Sequence, residues 1–211
     1  PKNITVINNG IDTWEFKPLT NSQRNPYRLI TTASADVPLK GLDYTLKALN
    51  LLKINYPKIH LIVIGTIKEN GHTKRLIDKL DLEQNITFKS NILKADITEL
   101  YSTSSVAIVS SLYEGFGYPV IEAMSCEVPL IATNTSSIPE LTGKYASLIE
   151  PRNHEAIIES TIKILSDYDK YKEIAIKGRQ HVIENFNWAK ITKEYENTIY
   201  ETIKEFKDAD I

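Results

Sequence analysis

The chain has 211 residues and a formal net charge of −2, with 42% hydrophobic and 25% charged residues. This length allows one large domain or two small ones with enough apolar residues for a core, and the near-neutral charge gives no long-range attraction to nucleic acid. No apolar run approaches the length of a membrane span, and a single cysteine, Cys126, excludes an internal disulfide. We therefore expect a cytoplasmic protein, with a peripheral position at the inner face of the membrane as the alternative. Pro1 begins the chain and Met124 is its only methionine, so we expect a piece of a longer protein.

Strands and helices are predicted to alternate along most of the chain. Short apolar runs predict six strands, at 27–33, 59–65, 85–90, 106–109, 129–133 and 146–150. Helical spacing of apolar residues and helix-start signals predict helices at 42–55, 72–80, 96–101, 137–142, 153–166, 168–185 and 188–207, and another that begins at Pro119. Asp96 is the expected N-cap of the helix 96–101. The alternation predicts an α/β fold: a doubly wound, Rossmann-like parallel sheet of about six strands, with extra C-terminal helices.

Four candidate residues follow the ends of predicted strands: Lys40, Gly65, Asn91 and Glu114. Ligands of open parallel sheets bind at the carboxyl ends of the strands. We therefore expect these four residues to lie at one rim of the sheet.

The stretch 105–127 has the most specific pattern in the chain. An apolar strand is followed by the glycine-containing loop EGFGY, residues 114–118, and Pro119 then suits the first turn of a helix. Bare backbone N–H groups at the positive end of a helix bind anions. Glu114 and Glu122 frame the loop, which is reasonable if the ligand also carries hydroxyls that donate to carboxylates. Phosphate joined to sugar is the ligand that fits.

The segment EGFGYPVIEAM, residues 114–124, resembles the signature of retaining glycosyltransferases of the family-four, or group 1, type, which have the two-domain GT-B fold. The likeness covers nearly the whole chain. The resemblance implies that residues 1–18 link two domains and that 19–187 form the donor-binding domain. It also implies that 188–211 form a helix crossing back to an N-terminal domain that this chain lacks. Without the resemblance, residues 1–18 are interpreted as an edge strand and a loop.

The resemblance implies transfer of a sugar from a nucleotide diphosphate sugar to an acceptor, such as a growing polysaccharide or a lipid-linked sugar, with retained anomeric configuration. Lys40 would neutralise the departing diphosphate, Glu114 would hold the sugar or stabilise charge at its reacting carbon, and Glu122 would accept both ribose hydroxyls. Asn91 and Ile92 would meet the base. The donor-binding positions besides Glu122 are Gly115, Phe116, Gly117, Tyr118, Pro119, Val120, Asn91, Ile92 and Gly65. The expected partners are the nucleotide sugar, the missing domain and the acceptor, without nucleic acid, metal or cofactor.

Several features leave alternatives open. The family usually has Gly-Arg before its Lys-Gly, whereas residues 33–36 here are ASAD, without a second cation. Ser136 and Ser137 stand where the family often has a glycine pair. Taken singly, Lys40, Glu114 and Glu122 could be a solvated lysine, a loop-capping carboxylate and an exposed helix carboxylate. The alternative functions are a non-catalytic nucleotide-binding module of the same fold and a sugar-nucleotide epimerase-like enzyme.

Overall fold

The computed structural model describes residues 4–209, which contain one six-stranded parallel sheet. The strands are β1 Asn25–Thr32, β2 His60–Ile64, β3 Ile86–Lys89, β4 Ser104–Val109, β5 Leu130–Thr133 and β6 Ser147–Ile149. Their order is β3-β2-β1-β4-β5-β6, and every neighbouring pair is parallel. Every residue of β4 and β5 is buried, as expected for strands covered on both faces. The predicted sheet is confirmed.

Helices cover both faces of this sheet. They are α1 Leu42–Asn55, α2 His72–Lys79, α3 Lys94–Ser102, α4 Tyr118–Ser125, α5 Ile138–Thr142, α6 His154–Ser166, α7 Tyr168–Phe186 and α8 Trp188–Ala209. Alternate residues of β4 face different cores: Val106 and Ile108 pack with α1, α2 and α6, whereas Ala107 and Val109 pack with α3, α4 and α7. The chain is therefore doubly wound, with two apolar layers.

The strand order reverses between β1 and β4. The helix that follows β1 lies on one face of the sheet, and the helix that follows β4 lies on the other. The loops after these two strands therefore diverge at the carboxyl edge and leave a crevice between them. In open parallel sheets such a point of reversal is where ligands bind.

Gly41 allows the β1–α1 loop to pack directly against the end of β4. Its φ is +64°, and a Cβ at this position would lie 1.9 Å from the carbonyl oxygen of Ser110. We expect Gly41→Ala to lower the free energy of unfolding by more than about 2 kcal/mol, because the clash is with backbone that cannot rotate away. Urea unfolding measures the effect. Gly115→Ala is the control, since nothing lies within 4 Å of its Cβ position; an equal loss in both variants would contradict the prediction.

Two local predictions were wrong. Asp96 is not the N-cap of α3, because the helix begins at Lys94 and its N-cap is Leu93. Asp96 is the third residue of the helix, and its carboxylate accepts the N–H of Leu93 at 3.1 Å. The edge-strand interpretation of the first residues also fails, because residues 4–10 form no strand. Ile4 and Val6 are 78% and 79% exposed, so their alternation has no core to face.

The beginning of the described chain is instead tied to its C-terminal helices. The N–H of Ile11 donates to the carbonyl of Phe186 at 2.7 Å, and the guanidinium of Arg179 donates to the carbonyls of Thr13 and Phe16. Residues 1–3 of the predicted linker and 210–211 of the predicted final segment lie outside the described residues. Within 4–209 no helix has the length and hydropathy needed to cross a bilayer.

Candidate active site

The crevice between β1 and β4 brings together two of the predicted residues, Lys40 and Glu114. Lys40 ends a 3₁₀ turn, Pro38–Lys40, and the carbonyl of Leu39 in this turn accepts the N–H of Leu112 at 2.7 Å. The ammonium of Lys40 donates to both carboxylate oxygens of Glu114, at 2.8 and 3.0 Å. This ion pair joins residues 74 positions apart, and it places a cation and a carboxylate at the strand-order reversal.

The Glu114 carboxylate is held by more than this ion pair. The residue is only 8% exposed, and the hydroxyl of Ser111 donates to its Oε1 at 2.6 Å. The Lys40 side chain remains 31% exposed, so it faces the crevice as well as Glu114. A buried carboxylate with these donors is fully satisfied, whereas the ammonium, with three N–H bonds to give, can also reach an anion in the crevice.

The loop after Glu114 carries free backbone donors. Within residues 4–209 the N–H groups of Gly115, Phe116 and Gly117 donate to no other group. Gly117 is the N-cap of α4 with φ +109°, and Pro119 lies in the first turn of that helix. Unpaired N–H groups at the positive end of a helix form an anion-binding site. These three N–H groups directly follow Glu114, the carboxylate partner of Lys40.

The other residues of this motif differ in what they expose. Tyr118 is 43% exposed, and its ring packs edge-on against Phe116 with 5.2 Å between ring centroids. Val120 is fully buried and its N–H already donates to the carbonyl of Gly117 at 3.0 Å. Pro119 is half-buried. Gly115 and Tyr118 are therefore the exposed residues of the 115–120 stretch.

Glu122 lies on α4 in a largely apolar setting. Its carboxylate accepts the hydroxyl of Tyr101 at 3.3 Å, and that hydroxyl is also 3.0 Å from the hydroxyl of Thr32 at the end of β1. Burial raises the pKa of Glu122 from its ordinary 4.5 to about 7, and the Tyr101 hydrogen bond and the charge of Lys94 lower it only in part. A half-buried carboxylate with a perturbed pKa beside the crevice is a candidate for ligand binding.

The remaining predicted residues follow β2 and β3. Gly65 packs on the end of β1, since a Cβ there would lie 2.2 Å from the carbonyl oxygen of Ala33. Asn91 is exposed with φ +54°, and Ile92 packs partly against the core beneath α3 and α4. All three lie at the same edge as Lys40, but the order β3-β2-β1-β4 puts Asn91 and Ile92 two strands away from β1. Their proposed contact with the base stays a prediction.

Sequence reasoning did not identify several residues that shape this site. Ser111 is the second residue after β4, so its place just beyond the strand end was a usable signal. Tyr101 showed no local signal, because its partners Thr32 and Glu122 come from other elements. In the described part of the chain, no three His, Cys, Asp or Glu side chains are grouped to hold a metal ion.

The doubly wound parallel sheet with its crevice and added C-terminal helices is the fold of GT-B glycosyltransferases. The family model described as glycosyl transferases group 1 matches residues 13–181, and this chain belongs to that family. Among its relatives, the MMP alpha-(1->4)-mannosyltransferase of Mycolicibacterium hassiacum is 30% identical over 197 residues, covering 92% of this chain and 47% of the relative. The O-antigen chain mannosyltransferase B of Escherichia coli is 28% identical over 172 residues, covering 81% and 43%. The chain spans about half the length of the curated relatives it matches.

Solved structures show the same fold. Sucrose-phosphate synthase from Thermosynechococcus elongatus superposes with a TM-score of 0.83 at 22% identity, covering 94% of this chain and 52% of that one. Anabaena HepE in complex with UDP superposes with a TM-score of 0.81 at 22% identity, covering 93% and 57%. The C-terminal domain of a group 1 glycosyl transferase, LpcC from Francisella tularensis, is 25% identical with a TM-score of 0.74, and its whole length is covered by 85% of this chain. The expected family and fold are confirmed.

Proposed function

We propose that this chain binds the nucleotide diphosphate sugar donor of a retaining glycosyltransferase. The observation that carries the proposal is the Lys40–Glu114 pair next to the free N–H groups of residues 115–117, at the point where the strand order reverses. A cation with unpaired N–H groups suits a diphosphate, and carboxylates suit the hydroxyls of the two attached sugars. The UDP complex of HepE supports a nucleotide ligand for this fold.

Each group has one role in this proposal. Lys40 and the N–H groups of 115–117 bind the diphosphate and stabilise the negative charge that develops on it as the glycosidic bond breaks. Glu114 exchanges the ammonium of Lys40 for hydroxyls of the donor sugar. Glu122 accepts hydrogen bonds from the two ribose hydroxyls. An acceptor glycan or lipid-linked sugar would enter from the side of the crevice formed by another part of the full protein.

Calorimetric titration tests the proposal with UDP, GDP and ADP and with their sugar conjugates. We expect one base to be preferred, with a dissociation constant on the order of 0.1 mM, because a chain that spans about half the length of its relatives is expected to supply only part of the ligand contacts. We expect no sugar transfer by this chain alone. If none of these ligands binds at about 1 mM, the proposal is wrong, and detectable transfer would contradict the expected need for further protein.

The attached sugar separates a transferase donor site from a non-catalytic nucleotide-binding module. In a donor site Glu114→Gln changes the affinity for the nucleotide sugar relative to that for the free nucleotide, because the carboxylate contacts the sugar. In a nucleotide-binding module the two affinities change in parallel. The ratio of the two dissociation constants, measured in the same titrations, separates the two functions: it changes in a donor site and stays constant in a nucleotide-binding module.

A further inference from the structure

The loop between β5 and α5 holds the 111–116 segment through its hydroxyls. Four hydroxyl-bearing side chains between positions 133 and 137 bond to that segment. Thr133, the last residue of β5, donates to the Ser111 carbonyl at 2.5 Å, and Thr135 donates to the Leu112 carbonyl at 3.4 Å. Ser136 accepts the Glu114 N–H at 2.9 Å, and Ser137 donates to the Phe116 and Glu114 carbonyls at 2.5 and 3.2 Å. All of these hydroxyls bond to the same segment, so together they hold the main chain that carries Glu114.

Ser136 occupies a backbone conformation that favours glycine. Its φ is +49°, in the left-handed region, where a residue with a Cβ is less stable than glycine by roughly 1 kcal/mol. Ser136 is also exposed, so packing gives no reason for a side chain at this position. The hydroxyl that accepts the Glu114 N–H is the contribution glycine would not make.

Ser137 determines the direction of backbone N–H groups in the anion site. In a trans peptide the carbonyl of one residue and the N–H of the next point in opposite directions, and the described peptides are trans. The Phe116 and Glu114 carbonyls point to the Ser137 hydroxyl. The N–H groups of Gly117 and Gly115 consequently point away from α5, and the Cβ position of Gly115 opens to free space.

We propose that Ser136 and Ser137 are positioning residues of the donor site. Ser137 orients the N–H groups of Gly115 and Gly117 toward the diphosphate, and Ser136 fixes the main chain of Glu114 so that its carboxylate meets the donor sugar. The proposal rests on the proposed donor-binding function and adds residues that act through the 114–117 loop.

Two variants test the two roles separately, with the best-binding nucleotide of the UDP, GDP and ADP series and its sugar conjugate as probes. Ser137→Ala frees the two peptide planes, so we expect about fivefold to tenfold weaker binding of the free nucleotide.

Ser136→Gly relieves the left-handed backbone but releases the Glu114 N–H. We expect nucleotide affinity within about twofold of the unaltered chain and at least a threefold change in the ratio of nucleotide-sugar to nucleotide affinity. Melting temperature is measured in parallel.

Asp81→Gly is the matched control for Ser136→Gly. Asp81 has φ +52° and a side chain that is 98% exposed, and it is not among the residues of the donor site. The same backbone relief there should leave both affinities unchanged. Unchanged affinities in both serine variants would overturn the proposal, as would losses that simply follow a lowered melting temperature. If the unaltered chain binds no nucleotide, the proposed donor-binding function itself fails, which is a different result from intact binding with no effect of the serines.

Discussion

Lys40→Met is expected to weaken binding of a nucleoside diphosphate by about 10- to 100-fold, the largest effect of any single side chain here. Charge-assisted hydrogen bonds to a phosphate contribute about 1.5–3 kcal/mol, which corresponds to that range. The same change leaves Glu114, 8% exposed, with only the Ser111 hydroxyl to compensate its charge. We therefore also expect the free energy of unfolding to fall by about 1–3 kcal/mol. Calorimetry and urea unfolding measure the two effects.

A second variant separates affinity from stability in this ion pair. In Lys40→Met/Glu114→Gln both charges are absent, so most of the lost stability should return while nucleotide affinity stays low. Glu114→Gln alone should bind the free nucleotide as tightly as the unaltered chain or more tightly, because Lys40 no longer has a competing carboxylate. Full nucleotide affinity in Lys40→Met would show that the diphosphate does not bind at this lysine.

Glu122→Gln is expected to change stability and ligand affinity in opposite directions at alkaline pH. The pKa of Glu122 is about 7 in the folded chain, against an ordinary value of 4.5. Between these values the folded state holds a proton that the unfolded state has lost, so stability falls as pH rises through this window and the full loss is present above it. Gln removes this loss. We expect Glu122→Gln to be more stable by about 1–3 kcal/mol at pH 8 and nearly equal at pH 4.

Ligand binding favours the ionised form of Glu122, whereas burial in the folded chain favours the protonated form. Ribose hydroxyls donate to the ionised carboxylate, so binding must release the proton that Glu122 carries below its pKa. We expect nucleotide-sugar affinity to rise about tenfold between pH 6 and pH 8 in the unaltered chain. Glu122→Gln should abolish this rise and bind about tenfold more weakly at pH 8. The nucleotide sugar is the suitable probe because its bridged phosphates have no proton to lose in this range. Glu99→Gln, on the exposed surface of α3, is the control, and an unchanged pH profile in Glu122→Gln would exclude the ribose role.

Local sequence patterns were sufficient to predict the strands and helices and the edge of the sheet at which the candidate residues lie. Strands such as β4 are covered on both faces and therefore consist of apolar runs, while the leucines of α1 recur every three or four residues along one buried side. Because a helix connects each strand to the next parallel strand, the residues that follow the strands had to share one edge. Lys40, Gly65, Asn91 and Glu114 could be placed at that edge for this reason. Local patterns failed where no packing surface was available, as for Ile4 and Val6.

What the sequence determined by itself is the alternation of strands and helices and the loops that carry the candidate residues, because periodicity and turn chemistry are local properties. Only the tertiary structure decided which of these loops meet. The strand order puts β1 beside β4 and joins Lys40 to Glu114, and α3 brings Tyr101 over Glu122 in a setting that raises its pKa. Burial and contacts between distant residues depend on how the elements pack around one another, and no window of sequence contains that information.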